Sequence, residues 1–386
     1  MIRQNFNADW TVEKGDGNSR MNSFLGNTQT KTVHLPYDAM IHEARTPDTK
    51  NGAQTGFYPG GEYIFQKHFT APQAWQGKPV SLVFEGVYQT ALVYLNGWLL
   101  TRNVNGYAEF TVEAGPYLKY GADNLLKVIA DNSLEPNSRW YTGSGIYRPA
   151  RLLVGNKVYL PQDTVRITTR EADEGFALLD VTAQVQSAST VTERVTLQQT
   201  ICREGTAVLT DRQNLLLQPG ESRTVSFRYC VDSPALWSPE NPNLYTSTMQ
   251  VLEGEEELDR EETGFGIRTL SIDAAHGVRI NGQTVKLRGA CIHHDNGILG
   301  AATLPDAEER RIRQLKEAGF NAIRSSHHPA GRALLDACDR YGVLVMDELS
   351  DVWNVRKNPY DYALYFEQDW KPTIQKMVDK DYNHPS

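Results

Sequence analysis

Three short segments of the chain combine histidines with carboxylates, hydroxyls or an aromatic ring. They are His293-His294-Asp295, then residues 325–329 (Ser-Ser-His-His-Pro), then residues 347–353, which contain Asp347, Glu348, Asp351 and Trp353. Such side chains accept, donate and transfer protons, and an aromatic ring beside them can pack on the apolar face of a ligand. Burying unpaired ionisable groups costs roughly several kcal/mol, so folding alone does not explain them. The pattern indicates a site for a polar molecule.

Neighbouring histidines raise the question of a metal, because imidazole is a common zinc ligand. Adjacent residues on a strand point to opposite faces, so His293 and His294 are badly placed to bind one ion, whereas H-x-H would be well placed. We therefore predict no metal and no cofactor. Instead, we expect one histidine of each pair to face the pocket and hydrogen-bond a polar substrate. The other histidine is then left to pack or to cap a loop.

Aromatic side chains supply a second kind of candidate. Trp140, Tyr141 and Trp353 are suited to stacking on a sugar ring. The alternative interpretation of a Trp in a β-sandwich is that it packs in the core. Both interpretations stay open for these three residues.

Each polar segment follows a predicted apolar strand, at residues 285–292, 321–324 and 343–346. Helices are predicted after each strand, with a capping box of Asp306 and Glu309 at the start of the first one. Gly319 is predicted to end the first helix and Gly342 the second. The third helix is predicted to turn an apolar face inward, formed by Ile374, Met377, Val378 and Tyr382.

Three strand–helix units in a row predict an α/β fold with a parallel sheet, whose functional site lies at the carboxyl ends of the strands. A (β/α)₈ barrel and an open, doubly wound sheet both fit this pattern. Neither a G-x-G-x-x-G sequence nor a phosphate loop follows the first strand, so the nucleotide-binding form of the open sheet loses its main support.

The first 268 residues predict two β-sandwiches. In residues 1–158, Asn96-Gly97 separates two apolar runs and predicts a two-residue hairpin, as Asn281-Gly282 does later. Residues 159–268 alternate apolar and polar positions over about 110 residues, which is typical of a seven-stranded immunoglobulin-like sandwich. The acidic run from Glu253 to Glu262 is predicted to be a solvated hairpin rather than a binding surface.

Composition excludes several functions. The 386 residues are 40% hydrophobic and 22% charged, with a formal net charge of −8. An acidic balance without basic clusters argues against nucleic acid as a partner, and no apolar run is long enough to span a membrane. The first residues lack a signal-peptide pattern, so we expect a cytoplasmic protein. The four scattered cysteines (Cys202, Cys230, Cys291 and Cys338) predict free, buried thiols, although Cys202 and Cys230 fall in one sandwich and could pair.

Longer motifs add a family resemblance. In the last third they are Leu287-Arg288-Gly289 with His293-His294-Asp295, residues 321–329 (NAIRSSHHP) and residues 338–348 (CDRYGVLVMDE). Earlier in the chain they are residues 82–87 (LVFEGV), 93–97 (VYLNG), 139–148 (RWYTGSGIYR) and 264–268 (GFGIR). In this order, they resemble glycoside hydrolase family 2, which contains the β-galactosidases and β-glucuronidases.

The resemblance implies a multidomain β plus α/β fold. Residues 1–158 would form a jelly-roll-like, sugar-binding-type β-sandwich and residues 159–268 an immunoglobulin-like one. Residues 269–386 would be the first three βα units of a TIM barrel. The implied activity is that of a retaining exo-glycosidase that removes a terminal β-linked sugar, with a galactoside favoured over a glucuronide.

The resemblance also implies which residues bind the sugar. His293, His327, Asp351 and Trp353 would line the sugar subsite, while Asp347 and Glu348 would orient loops or neighbouring side chains. Retaining chemistry needs two carboxyl groups, and in the family the acid/base glutamate follows an Asn-His-Pro-Ser segment, which here is residues 383–386. No catalytic residue is therefore assigned, and we expect these 386 residues alone to be inactive.

Other interpretations stay open. The sandwiches could bind glycans without any chemistry, or a second polypeptide could supply the rest of the barrel. Three strands of eight leave an unpaired edge, which favours a complementing barrel segment or a homo-oligomer as partner. The expected ligand in each case is a carbohydrate.

Overall fold

The first β-sandwich packs a four-stranded sheet on a six-stranded sheet. The structure, a computed structural model, describes residues 1–15 and 30–386. Its first strands are β1 (Ile2–Asn5), β2 (Trp10–Gly15), β3 (Lys31–Val33), β4 (Gly61–Thr70), β5 (Val80–Phe84), β6 (Thr90–Leu95), β7 (Trp98–Asn103), β8 (Phe110–Glu113), β9 (Asp123–Asn132) and β10 (Ala150–Val154). The two sheets have the orders β1-β10-β5-β8 and β3-β2-β4-β9-β6-β7.

Alternation of apolar and polar residues builds this sandwich. Along β9 every second residue is buried, which turns one face of the strand to the core. Asn96 and Gly97 have φ values of 52° and 89°, and Leu95 pairs with Trp98 across them. The hairpin predicted from this dipeptide is thus confirmed, since a type I′ turn needs positive φ at both central residues.

The second sandwich contains eight strands among the described residues. They are β11 (Val158–Tyr159), β12 (Arg166–Ala172), β13 (Phe176–Ser187), β14 (Glu193–Arg203), β15 (Thr206–Leu217), β16 (Ser222–Asp232), β17 (Tyr245–Glu253) and β18 (Glu256–Phe265). One sheet joins β11, β12, β13 and β16, and the other has the order β15-β14-β17-β18. The predicted count of seven misses β11, whose two residues are too short for alternation to show.

The acidic run forms the predicted hairpin, β17–β18, but part of it is buried. Asp259 accepts a hydrogen bond from the backbone N–H of Leu160 at 2.7 Å, and Glu261 pairs with Arg3 of β1. The hairpin therefore contacts the first sandwich, and its description as fully solvated is wrong.

The third region begins with a small antiparallel sheet and continues into a parallel one. Its elements are β19 (Leu270–Asp273), β20 (Gly277–Ile280), β21 (Gln283–Thr284), β22 (Gly289–Ile292), α1 (Pro305–Glu317), β23 (Ala322–Ser325), α2 (Arg332–Tyr341), β24 (Leu344–Met346) and α3 (Phe366–Asp381). Strands β22, β23 and β24 pair in parallel and in sequence order, which is the arrangement of three successive βα units. Asn281 and Gly282 form the second predicted hairpin, with φ values of 50° and 76°.

Short 3-10 helices lie between these elements, at Met40–His42, Gly52–Thr55, Gln73–Trp75, Gly115–Tyr117, Gly297–Leu299 and Tyr362–Leu364. Across residues 1–15 and 30–386, no helix is both long and apolar enough to span a membrane.

Two helix predictions need correction. Helix α1 has no capping box: Leu304 precedes it, Pro305 occupies its first turn, and Asp306 already lies inside the helix. Proline starts a helix without a side-chain cap because its fixed φ suits the first turn. In α3 the fully buried residues are Thr373 and Lys380, while Val378 and Tyr382 are exposed.

Polar contacts explain the orientation of α3. The Lys380 ammonium donates to the carbonyl oxygen of Ala330 at 3.0 Å, which draws a polar position inward. Tyr382 lies over the guanidinium of Arg166 in the second sandwich, 4.9 Å from its ring centroid. An apolar stripe therefore gives the wrong inner face for this helix.

All four cysteines are free, as predicted. Only Cys338 is buried, whereas Cys230 and Cys291 are exposed and Cys202 is half-buried. The expectation of buried thiols is thus wrong for three of the four. Because strand side chains alternate between faces, one residue of register decides whether a strand cysteine is covered.

Candidate active site

Polar side chains from two successive strand ends meet at one rim of the parallel sheet. The ring centroids of His293, after β22, and His327, after β23, are 6.2 Å apart. Parallel pairing with Ile292 opposite Ser325 brings the two ends level. The two histidines thus lie on the same side of the sheet and close together.

The two histidines of each pair have different surroundings. His294 and His328 are buried, at 5% and 2% exposure, while His293 and His327 are half-buried. Burial lowers the pKa of His294 to about 3, and it holds the pKa of His328 well below its usual range. Both buried rings are therefore neutral. His294 uses its Nε2 to donate to the carbonyl oxygen of Thr142 at 2.9 Å.

Hydrogen bonds fix the tautomers of the other two rings. The Nδ1 atom of His293 lies 2.7 Å from the carbonyl oxygen of Ser326, which can only accept, so Nδ1 carries the hydrogen. In His327, Nδ1 lies 2.9 Å from Oε2 of Glu348. The Nε2 atom of His293 is left free by the contact with Ser326, and the Nε2 atom of His327 lies 3.9 Å from Oδ1 of Asp351.

Glu348 and Asp351 are held in ion pairs at the third strand end. Glu348 binds both Arg324 and His327. Asp351 accepts two hydrogen bonds from Arg139, at 2.6 and 3.1 Å, and one from the Lys357 ammonium at 2.8 Å. Burial raises the pKa of Asp351, but the hydrogen bonds from Arg139 and Lys357 outweigh it and leave the pKa below its usual range. Asp351 is therefore ionised.

Asp347 forms hydrogen bonds to two loops at the rim. Its Oδ1 atom accepts from the backbone N–H of Ala330 at 2.8 Å and from that of Glu348 at 3.0 Å. Burial, followed by the neighbouring carboxylate of Asp381, raises the pKa of Asp347 to about 7. Asp347 thereby ties the loop after β23 to the loop after β24.

An open groove of about 830 Å³ runs along this rim. His327, Asp351 and Trp353 line it, together with Arg139, Arg324 and Lys357. Trp353 is 71% exposed and presents its ring to solvent. His293 is absent from this lining; it is half-buried, and Trp140 stacks on its ring. The structure thus brings three of the four predicted site residues onto one groove, with the His293 ring 6.2 Å from that of His327.

Three consecutive residues of the first sandwich were either unassigned from the sequence (Arg139) or considered only for sugar stacking (Trp140 and Tyr141). Arg139 holds Asp351, and Trp140 stacks on His293 with a centroid distance of 5.2 Å and an interplanar angle of 12°. Tyr141 donates its hydroxyl to Asp38 at 2.6 Å. Trp140 is half-buried and packs on His293, so core packing inside the sandwich does not describe its position, and sugar stacking stays a prediction. The signal available in the sequence was the unusual run RWYTGSG at residues 139–145.

Among the described residues, one group has the geometry to hold a metal ion, and it comprises Asp336, Asp339 and His384, whose ligand atoms lie within 4.8 Å of one another. It contains none of the groove residues. His384 Nδ1 donates to Oδ2 of Asp339 at 2.5 Å, and the backbone N–H of Ser386 donates to Oδ1 of Asp339 at 3.1 Å. These contacts form an ion pair that anchors the segment after α3.

Family models match nearly the whole chain. Residues 10–176 match the glycosyl hydrolase 2 galactose-binding domain-like model, residues 158–268 the model of glycosyl hydrolases family 2, and residues 274–386 the TIM barrel domain of that family.

Individual relatives agree with these models. The chain is 37% identical, over its full length, to the β-galactosidase BoGH2A of Bacteroides ovatus, and it covers 45% of that protein. It is 32% identical to a putative β-glucuronidase of Formosa agariphila, again over its full length, and covers 36% of it. The chain spans less than half the length of these two relatives.

Solved structures give the same result. A glycosyl hydrolase family 2 member from Bacteroides cellulosilyticus superposes with a TM-score of 0.95 at 36% identity, with 100% of this chain and 51% of that one covered. A β-glucuronidase of Bacteroides uniformis superposes with a TM-score of 0.86 at 27% identity, with 100% and 46% covered.

Proposed function

Because the chain belongs to glycoside hydrolase family 2, we propose that it forms the amino-terminal half of a retaining exo-glycosidase that removes a terminal β-linked sugar, with a β-galactoside as substrate. The observation that carries this proposal is the rim at the strand ends, where His327, Asp351 and Trp353 share one groove. A ring for stacking beside hydrogen-bonding and charged groups is what recognition of a sugar requires.

Two glutamates outside these 386 residues complete the reaction in this proposal. Retaining hydrolysis needs a nucleophile and an acid/base carboxyl group about 5 Å apart on either side of the glycosidic bond. Glu348 and Asp351 are unsuited to these roles, because ion pairs with Arg324, Arg139 and Lys357 occupy their oxygens. They position His327 and the rim loop instead.

A chromogenic aryl β-D-galactoside tests this division of labour. The purified 386-residue chain should give no turnover above background, because general acid–base catalysis alone contributes roughly 10²–10⁴-fold and the nucleophile is missing as well. A polypeptide extended to include both glutamates should hydrolyse the substrate, and proton NMR should show retention of the anomeric configuration. Clear activity of the 386-residue chain, or inversion, contradicts the proposal.

A β-glucuronide is the second candidate substrate, and one observation favours it. The cations around the groove (Arg139, Arg324 and Lys357) are 43–45% exposed, whereas the carboxylates of Glu348 and Asp351 beneath them are 11–15% exposed. Solvent-facing charge at the groove is therefore positive and suits a sugar carboxylate. The ratio of kcat/KM for the aryl β-D-glucuronide and β-D-galactoside, measured on the extended polypeptide, decides between the two.

A carbohydrate-binding fragment without catalytic activity is the remaining alternative. The polypeptide partner that we propose is a second copy of the chain or a complementing barrel segment. Calorimetry with methyl β-D-galactoside separates these cases. Micromolar binding by residues 1–268 alone favours the binding module. Binding that needs residues 269–386 as well favours the groove, and co-purification of another polypeptide favours complementation.

A further inference from the structure

Two aromatic rings of the first sandwich are interleaved with the four histidines of the two strand-end pairs, His293-His294 and His327-His328. Trp140 stacks flat on His293 and is tilted by 59° against His327, 5.6 Å away. Tyr107 stacks on His328, with centroids 4.5 Å apart, and meets His294 edge-on at 5.0 Å. Each sandwich ring thus contacts one histidine from each pair.

A hydrogen bond joins the two sandwich rings. The indole N–H of Trp140 donates to the hydroxyl oxygen of Tyr107 at 3.0 Å. Tyr107 is half-buried and packs among rings, and desolvation holds its pKa well above the usual range, so its hydroxyl keeps its proton. The two aromatic side chains are therefore tied to each other between the histidine pairs.

The segment that carries Trp140 is fixed on both sides by the barrel. On one side, Arg139 makes its two hydrogen bonds to Asp351. On the other side, the carbonyl oxygen of Thr142 accepts from Nε2 of the buried His294. Trp140 lies between these two attachments and is placed by the barrel as much as by its own sandwich.

We propose that Trp140 is a positioning residue for the sugar-binding histidines, so that the first sandwich forms a wall of the active site rather than a separate module. The proposal rests on the glycosidase function proposed above. Trp140 defines the plane of the His293 ring, while the Ser326 carbonyl oxygen defines the rotation of that ring within its plane. Together they fix the direction in which the His293 Nε2 atom points.

His327 has a corresponding pair of restraints. Glu348 holds its Nδ1 atom at 2.9 Å, and Trp140 packs against its ring. Removal of the indole leaves each histidine with a hydrogen bond but without the ring contact that stops it from tilting. A misplacement of about 1 Å at a reacting centre can cost about 10²-fold in rate.

Four variants of the extended polypeptide, which includes both catalytic glutamates, test this role through kcat and KM for an aryl β-glycoside. Trp140→Ala should lower kcat/KM by roughly 10–100-fold. Trp140→Phe keeps an aromatic ring and should recover most of that loss. Tyr107→Phe keeps its ring but loses the hydroxyl that accepts the indole N–H, so its effect should be intermediate. Trp98→Ala is the matched control, because Trp98 belongs to the same sandwich and is 66% exposed.

Thermal unfolding of each variant separates positioning from packing. A lower midpoint with unchanged kcat/KM in the folded Trp140→Ala protein assigns Trp140 to packing alone and overturns the proposal. An equal loss for Trp140→Ala and Trp140→Phe overturns it as well, since ring stacking is then irrelevant. If Trp140→Ala does not fold, Trp140→Phe and Tyr107→Phe still give the comparison.

A second measurement needs no turnover and therefore stands apart from the proposed function. Histidine side-chain NMR spectra of the 386-residue chain should show shifted ring resonances of His293 and His327 in Trp140→Ala. Those of the exposed His68 should stay in place. Unshifted His293 and His327 resonances overturn the positioning role. A wild-type enzyme that hydrolyses no β-glycoside refutes only the glycosidase proposal.

Discussion

Two of the regions through which the first sandwich contacts the barrel segment differ in character. At the groove, Arg139 binds Asp351 in a pair that is partly open to solvent. Away from the groove, Arg332 of α2 binds Glu109 through two hydrogen bonds, at 2.7 and 2.8 Å, and binds Asp163 at 2.6 Å. Both regions join the same two parts by an arginine–carboxylate pair. The difference lies in the arginine, which is 20% exposed in Arg332 and 43% exposed in Arg139. We expect the more buried region to hold the parts together and the more open region to contribute to the groove.

Charge and burial explain the difference. Burial raises the pKa of Glu109, but Arg332 and Arg151 outweigh it and lower the pKa to about 2. A buried charge whose partner is removed stays in a medium that solvates it poorly, while an exposed charge regains water. Loss of the Arg332–Glu109 pair should therefore lower the free energy of unfolding. Loss of the Arg139–Asp351 pair should instead lower turnover and leave the free energy of unfolding nearly unchanged.

Arg332→Met should have the largest effect. It leaves Glu109 buried with Arg151 as its remaining cation, and breaking a buried pair typically costs about 3–5 kcal/mol. Urea denaturation of the 386-residue chain measures the free energy of unfolding. The double variant Arg332→Met with Glu109→Leu should recover part of the loss, because Glu109 is then no longer an unpaired carboxylate. Recovery should stay incomplete, because Asp163 still loses Arg332. A loss below about 1 kcal/mol for the single variant would remove the distinction between the two regions.

Acid should weaken the buried region next. The folded-state pKa of Glu109 lies near 2, below its ordinary value of 4.5. Its ionised form therefore contributes stability that is fully present above about pH 4.5 and is lost as the pH falls toward 2. The urea midpoint should fall over this range in the wild type. The decline should be shallower in Glu109→Leu, and equal slopes would show that Glu109 does not carry the effect.

Arg139→Met should have the smallest effect on stability. A partly exposed pair contributes about 0–1 kcal/mol, so the free energy of unfolding should stay within about 1 kcal/mol of the wild type. Turnover by the extended polypeptide should nevertheless fall, because Asp351 loses the partner that orients it. Arg170→Met is the matched control: Arg170 forms an exposed pair with Asp180 in the second sandwich, far along the chain from the groove residues. A loss of stability in Arg139→Met as large as that in Arg332→Met would contradict the proposed difference between the two regions.

Local sequence patterns predicted the strands, helices and turns of the fold, and they also predicted the polar rim at the strand ends of the parallel sheet. The Asn-Gly dipeptides, the alternation along β9 and the glycines after α1 and α2 each encode a conformation within a few residues. Histidines at successive strand ends gave the rim, because parallel strands bring their ends together. Such signals depend on neighbours in sequence, so the chain alone shows them.

Contacts between distant segments were beyond sequence reasoning. Nothing local distinguishes His293 from His294 except the strand face, and the covering of His293 by Trp140 joins residues 153 positions apart. The inner face of α3 was mispredicted for the same reason, since Lys380 is drawn inward by a carbonyl oxygen of another loop. The burial of Glu261 in the acidic hairpin likewise involves Arg3, 258 positions away in the sequence.

The fixing of residues 139–142 by Asp351 and His294 bears on domain exchange between relatives. A chimaera that takes its first sandwich from one homologue and its barrel from another would combine the residue at position 140 with histidines from a different protein. Their ring contacts would then no longer be matched. Grafts should therefore move the Arg139-to-Thr142 stretch with the barrel loops it touches. A cut placed at the sandwich boundary would separate Trp140 from the two histidine rings that it contacts.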